Sequence, residues 1–373
     1  MNALFIGPYR QNDGWGIASR EYIKAISSQI SNLTTRPVYF IQQNVDPGKQ
    51  IVEYENSRYK SYDVVFQKTL PHCITIDKKI KKNVGMFFLE TNNISKSICV
   101  NSLNKLDEIL VNSNQEKKTL IESKITTKIK VISQPLDIEF IDRNRENKID
   151  ISSNRTNSFK FYSIGEYIER KNFKDLIIAF HLAFKNTDNV SLIIKTSKPG
   201  QNSQQAKQEI ENDFSQIKKK LNIKQHYKRE LVITERLSDE DMIGLHNSCD
   251  CFVMPSYGEA FCRPAAEALI LGKTPIVTDR TGMVDFINKD NGFIISSKKS
   301  PVIVDTRTLS NDFDIYNANE YWFQPNIYSL IECMQKAYYL SRKEKDKYKE
   351  KQLIGINSKN QFSYEQIGKN ICD

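Results

Sequence analysis

Short apolar runs alternate with stretches of helical period along most of the chain. NALFIG is stopped by Gly7-Pro8. After a glycine-containing loop, IASREYIKAISSQI repeats its apolar positions with the spacing of one helix face. VYFIQQ, DVVFQK, NVGMFFLE, EILVNS and IKVISQ read as further short strands, most separated by room for a helix. The polar stretch RNRENKIDISSNRTNS, residues 143–158, lacks apolar periodicity and reads as an interdomain linker. The alternation then restarts with FKFYSIG, KNFKDLIIAFHLAF, VSLIIKT, a polar helix, ELVITE, SDEDMIGLHNSC, CDCFVMPS, PAAEALILG and PIVTD.

This pattern predicts an α/β fold of largely parallel sheets in two similar domains. The expected divisions are 1–150 and 151–345, with a last amphipathic segment in 346–373 packing back toward the first. In open α/β sheets ligands bind beyond the strand carboxyl ends, so two such halves facing each other make a cleft. Residues 296–324 read as irregular, either a partner-binding excursion or a mobile loop. YWFQPNIYSLIECMQKAYYLS then returns to helical period.

The length of 373 residues suits two domains, and 39% hydrophobic residues are enough for real cores. The net charge of +9 is spread over a Lys-rich sequence, so single basic clusters read as solvated faces. No basic stripe interleaved with aromatics speaks for nucleic acid. Seven scattered cysteines, with no C-x-x-C, argue against a disulfide framework or zinc site and for a reducing compartment. No leader or membrane-spanning stretch is visible. These features predict a cytoplasmic protein, with contact at the inner face of a membrane left open.

The densest chemistry lies in PSYGEAFCRPAAEALILGKTP, which starts at Pro255. CFVMP reads as a buried strand, SYGE as a turn, and Pro264 suits the first position of a helix that Gly272 ends. Glu259 then sits in a strand-to-helix loop and Glu267 about one turn inside the helix. Both border a helix N-terminus, whose free N–H groups and dipole favour a phosphate. One carboxylate is free to accept sugar hydroxyls, while the other faces the positive charge that develops at an anomeric carbon. The plainer alternative is two ordinary helix carboxylates.

This stretch resembles the signature P-S-x-x-E-G-F-G-x-P-x-x-E-A-x-x-x-G-x-P-V-I of family 4 glycosyltransferases, retaining enzymes of GT-B architecture. It matches at Pro255, Ser256, Glu259, Phe261, Pro264, Glu267, Ala268, Gly272, Pro275 and Ile276, and departs at Ala260 and Cys262, where the family has glycine. The resemblance implies two Rossmann-like parallel-sheet domains facing across a cleft, the first for the acceptor and the second for the nucleotide sugar. It implies Glu259 at the transferred sugar and Glu267 on the ribose hydroxyls. It also implies transfer of a hexose-type sugar with retention, no metal and no cofactor, the nucleotide sugar being a substrate. YSIGEYIERKNFKDLIIAF resembles the family's diphosphate-binding segment, with Lys171 and Arg170 as the cations. Glu166 stands where the family often has Arg, and Lys195 is a candidate for the missing charge. LDEILVNSNQEKKTLIES and FSYEQIG resemble further family segments.

Phe261, Gly14 and Gly16 complete the expected donor-binding set, the two glycines letting backbone approach a ligand. Glu90, Trp15 and His72 are acceptor-side candidates, each with a plain structural alternative. His181 and His246 read as packing residues. Asp239, Glu240 and Asp241 read as helix-cap chemistry after Ser238, not as a metal motif. A glycan, a lipid-linked molecule and a protein all remain open as acceptors. Two rival readings are a nucleotide-sugar epimerase and a non-catalytic binding protein on the same architecture.

Overall fold

A computed structural model describes residues 1–41, 44–94, 99–151, 158–223, 228, 230–302 and 320–373. In chain order the first elements are β1 (Asn2–Gly7), α1 (Gly14–Ser27), β2 (Asn32–Pro37), α2 (Lys49–Asn56), β3 (Val64–Lys68), β4 (Lys82–Met86), α3 (Val100–Leu103), β5 (Glu108–Val111), α4 (Asn114–Glu122), β6 (Lys128–Val131) and α5 (Ile138–Arg143). Next come β7 (Phe159–Ile164), α6 (Phe173–Ala183), β8 (Val190–Lys195), α7 (Ser203–Leu221), β9 (Glu230–Ile233), α8 (Asp239–Ser248), β10 (Cys251–Met254), α9 (Arg263–Ile270) and β11 (Ile276–Thr278). Last are β12 (Phe293–Ile295), β13 (Ser297–Pro301), β14 (Tyr321–Pro325), α10 (Ile327–Lys343), α11 (Lys345–Asn357) and α12 (Tyr364–Cys372).

The chain forms two compact units: Met1–Ile138 with Lys359–Asp373, and Glu139–Ser358. Each holds a six-stranded parallel sheet, in the order β2-β1-β3-β4-β5-β6 in the first and β12-β11-β10-β7-β8-β9 in the second. Central strands such as β10, CFVM, are buried at every residue, as sheets covered on both faces require. Helix starts carry the expected chemistry. Asp13, Ser113, Asn202, Ser238, Asn326 and Ser363 each accept a backbone N–H from the first turn of the helix they precede. No helix among the described residues is long and apolar enough to cross a membrane.

Two strands lie where the apolar pattern does not put them. β2 is NLTTRP, ahead of VYFIQQ, and pairs with β1 from Asn2↔Asn32 to Gly7↔Pro37. Thr34 and Thr35 are buried there, each hydroxyl donating to a backbone carbonyl, so β-branched shape outweighs polarity. YWFQP is strand β14, not helix. It runs antiparallel to β13 within the segment read as irregular, whose residues 303–319 lie outside the described set. Pro325 ends the strand and Asn326 caps the following helix.

The polar stretch after Arg143 is fastened to the second unit. Arg145 donates to the Ile270 carbonyl at 2.8 Å and the Ile149 amide to Ser248 at 3.0 Å, while residues 152–157 lie outside the described set. α11 also belongs there: Tyr348 donates to the Asp250 carbonyl and accepts from Thr274. α12 instead packs on α1 of the first unit, burying Ile367 and Ile371. That contact depends on Gly368, because a Cβ there would lie 2.1 Å from the Ala25 carbonyl oxygen. Gly368→Ala should therefore lower stability by about 2 kcal/mol through overpacking against backbone. Urea unfolding with an unchanged midpoint would reject this account of the docking.

Candidate active site

Strand order in the second sheet reverses between β7 and β10. From β7 the chain proceeds outward to β8 and β9, and from β10 to β11 and β12. In open α/β sheets such a reversal is where ligands are expected to bind. Glu259 comes from the loop after β10, and Arg170 and Lys171 from a short 3-10 turn after β7. Lys171 Nζ donates to Glu259 Oε1 at 2.6 Å, and Arg170 Nη1 lies 3.0 Å from the same oxygen. The carboxylate is only 6% exposed. Burial pushes its pKa up, but the charges of Lys171 and Arg170 outweigh that and hold it below the ordinary carboxylate value.

Neighbouring segments grip the loop around Glu259. Arg170 donates to the Gly258 carbonyl at 2.6 Å, and the Tyr257 amide donates to the Arg170 carbonyl at 2.8 Å. Asn172, in the left-handed region that asparagine tolerates, caps α6 and donates to the Pro255 carbonyl. The Phe323 amide of β14 donates to the Tyr257 carbonyl, and Trp322 stacks on Tyr257 with centroids 5.0 Å apart. From the far side the Gly282 amide donates to the Glu259 carbonyl at 2.8 Å. A Cβ on Gly282 would lie 1.9 Å from the Ala260 carbonyl oxygen, so only glycine allows this approach. Sequence reading missed Gly282; its signal was a glycine after Thr281 at a turn.

Cys262 precedes α9 with φ +70°, a left-handed conformation natural to glycine. Of the two departures from the family pattern, Ala260 and Cys262, the latter carries positive-φ strain. No side chain caps α9, unlike the six starts described above. Within α9, buried Glu267 accepts from Arg263 Nε at 2.7 Å and lies 3.5 Å from His246 Nε2. Burial raises its pKa, and Arg263 together with His246 brings it below the ordinary value. His246 in turn contacts the Tyr162 hydroxyl, and His181 pairs with Glu230, so both helical histidines have polar partners as well as packing.

The other expected residues come from several elements. Lys195 ends β8, next to β7, with its amine 3.4 Å from the Thr196 carbonyl and its pKa lowered by burial. Phe261 is buried against Phe286, centroids 5.0 Å apart. In the first unit, Gly14 is exposed with open space around its Cα. A Cβ on Gly16 would lie 2.0 Å from the Gln11 carbonyl, so its bareness serves the loop's own packing. Asp13 accepts from the Gly16 amide at 2.8 Å, placing a carboxylate at the start of α1. His72 is exposed in a 3-10 turn after β3, and Glu90 lies half-buried in the loop after β4, four residues past the strand end. Trp15 packs on Phe40 and Phe88.

Behind Trp15 lies a group that residue type gave no reason to look for. Lys68 is 1% exposed, its Nζ 3.5 Å from the Phe88 centroid, 5.0 Å from Trp15 and 5.4 Å from Tyr22. Burial pulls its pKa down to about 7, and burial lifts that of Glu116 up to about 8 despite the backbone N–H groups of Leu89 and Asn112 that it accepts.

Residues 144–306 match the family model described as Glycosyl transferases group 1. No curated protein matches. Among solved structures, Alr3699/HepE from Anabaena, determined with UDP-glucose, superposes with TM-score 0.66 at 14% identity, covering 100% of this chain and 98% of its own. Sucrose-phosphate synthase from Thermosynechococcus elongatus gives 0.66 at 12% identity, covering 100% and 97%. A glycosyltransferase from Rickettsia africae ESF-5 gives 0.64 at 16%, covering 100% and 96%. The fold is GT-B. Within it, the Glu259 cluster lies in the unit whose strand order is that of a doubly wound dinucleotide-type sheet.

Two measurements check this GT-B chain's local energetics. Cys262→Gly should be more stable than Cys262→Ala by about 1 kcal/mol, since alanine keeps the left-handed strain and glycine removes it; equal urea midpoints would discount the strain. Lys68 has a folded pKa below its unfolded value, so the unfolded chain binds the extra proton from about pH 7 to about pH 10 and stability rises there. Glu116 acts oppositely, but only up to about pH 8. From about pH 8 to about pH 10 the wild type should gain on Lys68→Met by up to about 1.4 kcal/mol per pH unit. A flat difference in unfolding free energy over that range would contradict the burial of a titrating amine.

Proposed function

We propose that the protein is a retaining, metal-independent glycosyltransferase that moves a hexose-type sugar from a nucleoside diphosphate donor to a glycan, lipid-linked or protein acceptor. One observation carries the reading: a buried carboxylate shares one sheet switch point with two cations, beside a helix start that no side chain caps. Two cations against one carboxylate leave one positive charge within this trio, which suits a diphosphate. The Glycosyl transferases group 1 match over residues 144–306 supports the same chemistry.

In this mechanism the diphosphate rests against Arg170, Lys171 and the α9 start, and Glu267 accepts the ribose hydroxyls. The bond from the anomeric carbon to the phosphate oxygen breaks and the bond to the acceptor oxygen forms on the same face. The acceptor proton passes to the leaving phosphate oxygen. Glu259, held ionised by its cations, stabilises the positive charge that builds at the sugar carbon. Its carboxylate needs no reorganisation, because the loop that carries it is already gripped on several sides. The first unit is assigned to the acceptor, with Glu90, Trp15 and His72 near the carboxyl edge of its sheet. Transfer in the cytoplasm or at the inner face of a membrane fits seven free cysteines.

The test begins with thermal melting of the full chain against a panel of nucleotide sugars, since a tight ligand raises the melting temperature by mass action. With the sugar that binds, Glu259→Gln should stay folded and lose about hundredfold or more in kcat, measured as nucleoside diphosphate release in the presence of acceptor. Transfer at the wild-type rate would remove Glu259 from the mechanism. Donor incubated alone and followed by NMR separates transfer from epimerisation, which would change the sugar without acceptor.

A further inference from the structure

Glu267 is approached from two sides, and only one of them was visible in its own helix. Arg263, four residues earlier, donates to Oε1. On the other side His246 of α8, with no exposed surface, places Nε2 3.5 Å from Oε2. The other ring nitrogen, Nδ1, is 2.6 Å from the hydroxyl of Tyr162 on β7, itself fully buried. Burial raises the Tyr162 pKa far above its ordinary value, so the hydroxyl keeps its proton. With that hydroxyl donating to Nδ1, a neutral imidazole carries its own proton on Nε2, facing the carboxylate. An imidazolium carries a proton there as well. The remaining tautomer would aim a lone pair at Glu267 Oε2. Nε2 is buried without a hydrogen bond of its own, and Glu267 Oε2 is the carboxylate oxygen it faces.

We infer that His246 is a positioning residue: locked by Tyr162, it aims the Glu267 carboxylate at the ribose hydroxyls of a nucleoside diphosphate. This rests on the donor site proposed above. The three residues come from β7, α8 and α9, so the contact joins the strand on one side of the switch point to the helix on the other.

The test uses the full chain with UDP, GDP and ADP as probes, by isothermal titration below the melting temperature of every variant. His246→Phe should bind the preferred nucleotide about tenfold more weakly, the loss of one buried polar neighbour of a charged group. His246→Gln, whose amide restores an N–H donor, should recover part of that loss, and Tyr162→Phe should show a smaller loss in the same direction. His246→Phe made on Glu267→Ala should add nothing further, whereas a purely structural role would add its effect regardless. Side-chain ¹⁵N spectra should show His246 protonated at Nε2, with resonances that move in Glu267→Gln. A folded His246→Phe that binds like the wild type, or a His246 protonated only at Nδ1, overturns the inference while leaving the donor site standing. Wild type that binds none of the three nucleotides overturns the donor site, and the ribose role falls with it.

Discussion

The second unit is organised around one buried charge. Ionised Glu259 inside the protein would be costly alone, and so would Arg170 and Lys171 deprived of a counter-charge. Each makes the burial of the others tolerable. The arrangement also has a topological consequence, because the two cations follow β7 and the carboxylate follows β10. Two strands adjacent in the sheet but far apart in sequence are thereby pinned at the place where their loops diverge. A buried ion pair is a poor source of net stability, so its presence at a crevice points to use of the charges.

The surrounding backbone is built to keep that carboxylate still. Carbonyls of Pro255, Tyr257, Gly258 and Glu259 all receive donors from other segments, so the loop has little freedom left. Gly282 is bare so that its amide can reach the Glu259 carbonyl, and the β13–β14 hairpin adds the Trp322–Tyr257 stack. Cys262 tells the same story by its strain: a non-glycine residue persists at φ +70° only where its surroundings over-determine the conformation. The left-handed turn at this position leads into α9, whose Ala265 amide donates to the Cys262 carbonyl rather than to a side chain.

What was legible in the sequence followed burial and local chemistry. β1, β7, β8 and β10 are apolar runs bounded by turn residues, and Glu259 and Glu267 stood out through their spacing around a helix start. What was not legible depended on partners distant in the chain. β2 is half polar, and only its pairing with β1 makes NLTTRP a strand. YWFQP reads on into a helix because its partner SKKSP is polar and lies far upstream. Lys68 escaped notice because lysine is among the residues least often buried, and its aromatic enclosure comes from α1 and the loop after β4. His246 looked like packing because Tyr162 and Glu267 are remote from it in sequence.

The two sheets also differ in what they leave open. In the first unit the order β2-β1-β3 makes β1 and β3 the switch point, and the glycine loop after β1 stands there. Yet Asp13 already supplies the negative charge that the start of α1 favours, and Gly16 is occupied by the Gln11 carbonyl. An incoming phosphate would meet a carboxylate. In the second unit α9, which follows β10, has no capping side chain, and Arg170 and Lys171 face Glu259 in the loop before it. The donor site proposed above instead offers an anion Arg170 and Lys171.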